Sequence, residues 1–588
     1  MNGNDEFRST INFMKSKINY FSIIELFNKK EKRNLSFLYF LMIINSLLEV
    51  FAIGLVIPLV QLIISNDNIN SDLILNIASY FKISGYDFLK IIIILYLFFQ
   101  IFKTFYSLFY IWFENRYIYN FKKKLSSKLL YTYLYQDYLF LLKNNSAKLM
   151  RNITYCVDST TLYLFQFLKF SLDIIIASFI FTFLLFYNFN VTILISIFFL
   201  IISLVYSLTL RNKLLEMGFK RQEIAKNRLQ FFQDSVENFK YIKISSKEEF
   251  FYEKFDVTND KVAKISSYSE FLKNIPRPFL ELSAIFLFLS FLFYYVFTTE
   301  NVNLNIFEVL AVYLVAALRF LPAISRMLSA IQQLKISYPD VLKMIKELSL
   351  EVPSKSIPNH DLKFQNEINI NIGKFSYEEE NKFDLKDLKL KININEKVGL
   401  VGESGSGKSS ILDILLGIIP LKNGSVMVDA NKIDKKNLSS WHKKIAYVPQ
   451  KITIIEDTIL NNILFGLSLN DTTLKKINHL IKLTNLEGFI NSKEQGIHSI
   501  ISEKGSNISG GELQRIAFCR ALIRDPQILI LDEPTSALDI KNEELFTNML
   551  AKLENKTIIH VSHKMSSLKY CDKVYQIKNN KLQIYENF

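Results

Sequence analysis

The sequence predicts an α-helical membrane domain of six spans followed by an α/β domain of the P-loop type. Three observations predict it. Six long apolar stretches, at 36–64, 89–112, 162–187, 192–210, 279–297 and 306–328, crowd the first part of the chain. A glycine-rich run, Gly402-Glu403-Ser404-Gly405-Ser406-Gly407-Lys408-Ser409, stands between a short apolar strand-like segment and a helical one. The 588 residues are 50% hydrophobic and 14% aromatic, which excludes an extended disordered chain.

Each apolar stretch approaches or exceeds the ~20 residues that cross a bilayer as a helix. Six such runs cannot share the core of one soluble domain of this size. The net charge of +14 does not point to nucleic acid, because the basic residues lie in polar segments between the apolar runs. Between spans two and three stand Arg116, Lys122, Lys123, Lys124, Lys128, Lys143, Lys148 and Arg151, and the segment 211–276 is also basic. The opposite loops hold acids such as Asp67, Asp72 and Glu300, and only Lys82 among bases. This positive-inside pattern places the two long basic loops in the cytosol with the C-terminal domain. The loops read as helical extensions of the spans, with tips near 144–152 and 238–251. Residues 1–34 are polar, so a cleaved signal peptide is not expected; 20–27 are amphipathic and suit a helix lying on the membrane surface. Pro339, Pro353 and Pro358 punctuate a polar stretch that reads as a linker. The expected boundaries are 1–34, an N-terminal segment; 35–336, the membrane domain; 337–362, the linker; and 363–588, the P-loop domain. Three scattered cysteines, Cys156, Cys519 and Cys571, suggest neither a disulfide framework nor a zinc site.

The glycine-rich run has a physical purpose. A loop between strand and helix turns several backbone N–H groups toward one point, and the helix N-terminus adds its positive end. Lys408 then reaches β- and γ-phosphates, and Ser409 offers a hydroxyl to Mg²⁺. Further motifs follow at informative spacing: Ile508-Ser509-Gly510-Gly511-Glu512, the apolar strand Ile528-Leu529-Ile530-Leu531 ending in Asp532-Glu533, then Ser536-Ala537-Leu538-Asp539, and Ile558-Ile559-His560-Val561-Ser562-His563.

This set resembles the nucleotide-binding domain of ATP-binding cassette (ABC) transporters over 363–588, and the six-span layout resembles the exporter type. The resemblance implies ATP and Mg²⁺ as ligands and ATP hydrolysis as the activity. It implies that Gly402, Glu403, Ser404, Gly405, Ser406, Gly407, Lys408, Ser409 and Ser410 cradle the phosphates, and that Tyr377 stacks on adenine. Ser409, Gln450 and Asp532 would hold the metal, Glu533 would polarise the attacking water, and His563 would contact the γ-phosphate. Ser509, Gly510 and Gly511 would cap the ATP of an opposite subunit, so a second copy of the chain is the expected partner; Glu512 and Asp539 are expected among the ATP-binding residues as well. Two departures stand out: Glu512 where glutamine is commoner, and Ile508 where leucine is commoner. The loop tips would be coupling helices that dock on the ATPase.

Ionisable residues beside the spans bear on what is moved. A charge at mid-bilayer costs roughly 2.5–3.5 kcal/mol on insertion scales, so such residues face a cavity or a partner. Lys169 and Asp173 are four residues apart and suit a pair on one helix. Arg319 and Arg326 are seven apart and share a face, and arginine takes phosphate oxygens bidentately. The segments Leu48-Glu49-Val50-Phe51-Ala52-Ile53-Gly54, Pro276-Arg277-Pro278-Phe279-Leu280-Glu281 and Ala317-Leu318-Arg319-Phe320-Leu321-Pro322 look like the bacterial lipid-linked oligosaccharide flippase of protein N-glycosylation. That resemblance implies a substrate site of Lys103, Arg277, Arg319 and Arg326, meeting the pyrophosphate of a polyprenyl-linked oligosaccharide in a bacterial inner membrane. Lys103 stands where that family has arginine. It also implies an amphipathic helix at 72–84. The alternative is an ABC exporter of another cargo: a lipid A-like lipid, a peptide or a drug.

Overall fold

The computed structural model describes residues 20–55, 85–298, 305–352, 362–376, 385–403, 405–502, 505, 507–535, 538–578 and 581–585. Tyr377, Ser404 and the expected helix at 72–84 lie outside this set. The chain divides into two units: Met1–Gln136 with Lys143–Val352, and Asp137–Leu142 with Pro353–Phe588.

The first unit is helical. Its helices are α1 (Lys29–Gly54), α2 (Gly85–Leu134), α3 (Tyr138–Lys143), whose residues up to Leu142 belong to the second unit, α4 (Ser146–Arg151), α5 (Val157–Tyr187), α6 (Phe189–Glu237), α7 (Phe239–Ile244), α8 (Glu248–Asn274), α9 (Pro276–Thr298) and α10 (Asn305–Leu348). Five described helices are long and apolar enough to cross a membrane. The remaining expected stretch lies in α9, whose 23 residues span about 34 Å at 1.5 Å per residue. The 50 residues of α2 and 49 of α6 run more than twice the ~30 Å hydrocarbon thickness. Their apolar halves therefore continue into charged halves without a break, as the basic loops require. α10 packs along α5 and α6, and α1 packs on α2 and α5.

Three expectations need correction. The linker does not begin at 337, because α10 continues through Pro339 to Leu348. Residues 332–341 are all buried, and the polar ones that suggested a linker have partners. Gln332 donates to the Tyr206 hydroxyl at 2.9 Å, and Gln222 donates to Asp340 at 3.0 Å. Packing on every side holds the helix where proline alone would end it. Residues 20–26 form a 3₁₀ turn (Tyr20–Leu26) instead of a surface helix. It buries Ile23, and the following Phe27 meets Tyr117 and Phe121 edge to face. Finally, the segment grouped with the second unit is Asp137–Leu142, just before the expected tip at 144–152; Leu139 rests on that unit's core, and Asp137 lies 3.6 Å from Lys435.

The second unit carries two sheets. One is antiparallel, in the order β2 (Leu385–Asn393), β1 (Glu367–Phe375), β4 (Asn423–Val428), β5 (Asn431–Lys432). The other runs β10 (Lys581–Ile584), β9 (Lys573–Lys578), β3 (Lys397–Gly402), β8 (Thr557–Val561), β7 (Ile528–Asp532), β6 (Ile445–Val448). It is parallel from β9 to β6, with β10 antiparallel at the edge. Every residue of β7 and β8 is buried, which explains their unbroken apolar character. Helices α11 (Lys408–Leu415), α12 (Leu438–Lys444), α13 (Ile459–Leu464), α14 (Asp471–Leu483), α15 (Glu487–Asn491), α16 (Gly510–Leu522) and α17 (Ile540–Ala551) complete the unit.

Gly218 on α6 is a tight point. A Cβ there would stand 2.6 Å from the Ile336 carbonyl oxygen of α10, and a backbone atom cannot move aside cheaply. Gly218→Ala is expected to cost about 1–3 kcal/mol by overpacking, read as a lowered melting temperature of the purified full-length protein.

Candidate functional site

In a parallel sheet, ligands gather at the carboxyl ends of the strands. β3 ends in the glycine-rich loop, β7 ends in Asp532, and β8 between them leads to Ser562 and His563. Three segments far apart in sequence thus meet at one edge.

The loop is shaped by left-handed backbone at Gly405 (φ 80°) and Gly407 (φ 97°), which side chains with a Cβ adopt only under strain. α11 starts directly after it. Lys408 Nζ donates to the Gly402 and Glu403 carbonyls, both at 2.9 Å. Burial lowers the Lys408 pKa, with Glu533 and Asp532 opposing. The Ser406 hydroxyl is buried without a hydrogen-bond partner. Ser410 is buried in α11, whereas Ser409 is exposed and bonds to Asp532. An unpartnered hydroxyl, a lysine at the loop mouth and a helix N-terminus fit a polyphosphate. The Ser409 hydroxyl beside the Asp532 carboxylate fits Mg²⁺, a hard cation that takes oxygen ligands. Among the described residues no cluster of three or more His, Cys, Asp or Glu could hold a metal alone, so phosphate oxygens would complete the shell.

Glu533 sits at the centre. Its Oε2 accepts from Gln450 Nε2 at 2.7 Å, and its Oε1 lies 2.6 Å from His563 Nε2. Its backbone φ is 48°, a conformation uncommon for a non-glycine residue and typical of functional sites. Each carboxylate oxygen keeps a further lone pair, so the group can still accept a water proton. The other histidine of the motif, His560, is fully buried in β8 against the Tyr570 hydroxyl at 2.8 Å, and burial lowers its pKa to about 3. Tyr447, to which the sequence reading assigned no role, places its hydroxyl 3.4 Å from Asp532. The two residues stand eighty-five apart in sequence, so the contact leaves no local signal.

The serine-glycine-glycine segment is placed differently. Ser509 caps α16: Glu512 Oε2 accepts from the Ser509 amide at 2.8 Å and hydroxyl at 2.7 Å. Asp539 caps α17 through the Asn542 amide at 2.8 Å. Among the described residues, no hydrogen bond or ion pair joins Ser509, Gly510, Gly511, Glu512 or Asp539 to the Lys408 site.

In the membrane unit, all four cations expected at the substrate site face carboxylates. Lys103 Nζ lies 2.7 Å from Glu49, and Arg319 Nε lies 3.7 Å from the same oxygen. Arg326 makes three hydrogen bonds to Asp173 at 2.6–3.2 Å. Arg277 pairs within its own helix with Glu281 at 2.9 Å. The structure therefore brings Lys103 and Arg319 together, and leaves Arg326 and Arg277 in separate pairs. Lys169 pairs with Glu114 at 2.9 Å, not with Asp173 as the four-residue spacing suggested: the Asp173 oxygens are taken by a bidentate guanidinium from another helix.

Comparison with known proteins agrees with both units. The ABC transporter family pattern matches residues 385–536, and that of the ABC transporter transmembrane region matches 38–320. A bacterial Atm1-family ABC exporter with ATP bound superposes with a TM-score of 0.76 over 94% of each chain at 18% identity, which shows a common fold. The chain carries an ABC exporter transmembrane domain followed by an ABC ATPase domain, and is a multi-pass membrane protein. An ABC transporter ATP-binding/permease protein of Haemophilus influenzae is 30% identical over 62% of this chain and 66% of its own length. An ATP-dependent lipid A-core flippase of Colwellia psychrerythraea is 32% identical over 48% of this chain and 53% of its own. An ATP-binding/permease protein of Rickettsia typhi is 41% identical over 34% of each chain, so this chain spans about a third of that relative's length. ABC ATPase domains use ATP with Mg²⁺, the ligands that the Lys408 and Asp532 environments fit.

Burial, reinforced by Glu533, raises the Asp532 carboxyl above its usual value. An acid raised on folding contributes stability at low pH and loses it as the pH rises through its folded pKa. Ionised Asp532 therefore costs stability in the ligand-free protein. Asp532→Asn is expected to raise the ligand-free melting temperature at neutral pH and to lose that advantage below about pH 4. Mg²⁺-ATP should stabilise the wild type more than the variant.

Proposed function

We propose that the chain is one half of an ATP-driven flippase for a phosphorylated, lipid-anchored saccharide in a bacterial inner membrane. A polyprenyl-pyrophosphate-linked oligosaccharide is the leading cargo. The observation that carries this reading is a charge count. Lys169–Glu114, Arg326–Asp173 and Arg277–Glu281 are neutral pairs. Glu49 lies within 4 Å of two cations, and the closer one, Lys103, neutralises it. Arg319 is thus left with a surplus charge, half exposed, in a span where such a charge calls for an anion. A pyrophosphate supplies one with the bidentate geometry that arginine favours.

On this reading Lys408 and the loop amides bind the phosphates, and Tyr377 stacks on the base. Ser409, Asp532 and Gln450 would hold Mg²⁺, which would neutralise charge on the phosphate oxygens when bound. Glu533, oriented by Gln450 and His563, accepts the proton of the attacking water, while His563 also serves the γ-phosphate. Phosphoryl transfer of this kind needs mainly positioning and charge stabilisation. Among the described residues, the Ser509–Glu512 segment makes no hydrogen bond or ion pair to its own chain's phosphate loop, which supports a homodimer in which it covers the other copy's ATP. The lipid A-core flippases among the relatives favour a second cargo, a lipid A-like lipid.

Reconstituted in proteoliposomes, the wild type is expected to flip a polyprenyl-pyrophosphate oligosaccharide when ATP is added. Glu533→Gln should lose flipping together with about a hundredfold or more of ATPase activity, the usual weight of a general base. Flipping of lipid A-core but not of the polyprenyl lipid would select the second cargo. Translocation of neither, with ATPase activity intact, would sink both. Arg319→Gln is expected to raise the lipid concentration needed for half-maximal flipping while leaving basal ATPase unchanged.

A further inference from the structure

The cluster that singles out Arg319 also gives its carboxylate a role. Resting on the anionic-cargo reading above, we propose that Glu49 is the resident counter-anion of the cargo site: it holds Arg319 until a cargo phosphate takes its place, and so sets how strongly charged a lipid must be to enter.

The geometry separates the two cations. Lys103 is buried, its side chain 7% exposed, and its contact with Glu49 is a hydrogen bond of 2.7 Å. One turn away on the same two helices, Ser107 donates to Asn45 at 2.8 Å, and Tyr106 donates to the Leu41 carbonyl at 3.0 Å. Three polar contacts in register thus lock α1 to α2 and fix Glu49 in place. Arg319 comes from a different helix, α10. Its side chain is 54% exposed, and 3.7 Å from Glu49 is too long for a hydrogen bond. Among the described residues its guanidinium makes no hydrogen bond, whereas Arg326 makes three to Asp173. Glu49 therefore holds Arg319 by charge alone, and all five N–H donors remain for a better acceptor.

A neutral lipid offers nothing in exchange for a carboxylate. A monophosphate offers little more charge than Glu49 itself. A pyrophosphate brings several acceptor oxygens and a higher charge, and exchanges with the carboxylate at Arg319 while Lys103 continues to neutralise Glu49. Glu49 then works by exclusion as much as by attraction, because it makes weakly charged lipids compete with a resident anion.

The test measures binding of farnesyl pyrophosphate, farnesyl monophosphate and farnesol to the full-length protein in nanodiscs. Glu49→Gln keeps an oxygen acceptor for Lys103, and its melting temperature is compared with that of the wild type before binding is read. The variant is expected to bind both phosphates on the order of tenfold tighter, the effect of one charge acting over several ångströms at intermediate dielectric, with farnesol binding unchanged. Glu49→Asp, which keeps the charge, should stay near wild type. The gain should vanish in Arg319→Gln, so that the double variant matches Arg319→Gln alone. If the wild type prefers pyrophosphate to farnesol but Glu49→Gln changes nothing, the counter-anion role is wrong and the cargo reading stands. Equal tightening by Glu49→Asp, or tightening that persists without Arg319, also overturns the role. If the wild type binds pyrophosphate no better than farnesol, the cargo reading fails and takes this inference with it.

Discussion

Hydrocarbon offers no partner to a polar group, and the membrane unit is organised around that constraint. Backbone amides must be satisfied within the segment, so the apolar stretches become helices. The same constraint governs side chains. Glu49, Glu114 and Asp173 are each mostly or wholly buried, and each faces a cation from another helix. These ion pairs tie α1 to α2, α2 to α5 and α5 to α10. Pairing of this kind is a condition for placing charge in the unit at all, more than a gain in stability. Beside these described pairs, the second cation at Glu49 is a surplus.

The ATPase unit solves a different problem. Its charged groups are needed near one another, although Lys408, Asp532 and Glu533 gather unfavourably out of water. The parallel sheet supplies the framework: buried apolar strands run into the site and end there, so the reactive groups sit on rigid supports. The strain at Glu533, held at positive φ, is sustained by the β8 strand, whose Val561 carbonyl accepts the Glu533 amide at 2.9 Å. Gln450 and His563 then orient the carboxylate from two directions, which a flexible loop alone would not achieve.

Glu512 shows how a departure from a common pattern acquires physical content. At the N-terminus of α16 its carboxylate accepts from both the amide and the hydroxyl of Ser509. The capping box secures the start of the helix, and the negative charge suits the helix dipole. Glutamine would offer the same acceptor without the charge. The substitution therefore preserves the local fold while changing the electrostatics of the surface that carries the serine-glycine-glycine segment.

Much of this was legible in the residues themselves, because the relevant physics is local. An apolar run of twenty residues, a glycine-rich turn between strand and helix, and an apolar strand ending in two acids each declare their structure within a short window. Long-range choices are not declared there. Lys169 and Asp173 have the spacing of a helical pair, yet each binds a residue from elsewhere, Glu114 and Arg326. Pro339 marks a break by every local rule, yet the surrounding burial carries α10 past it. Arg319 and Arg326 occupy one helix face, yet Arg326 is hydrogen-bonded to Asp173 while Arg319 stands 3.7 Å from Glu49. Periodicity determined which groups are helical and which way they face. Only the tertiary structure decided which carboxylate each cation met, because partners are chosen by distance in space and by the cost of leaving a buried charge alone.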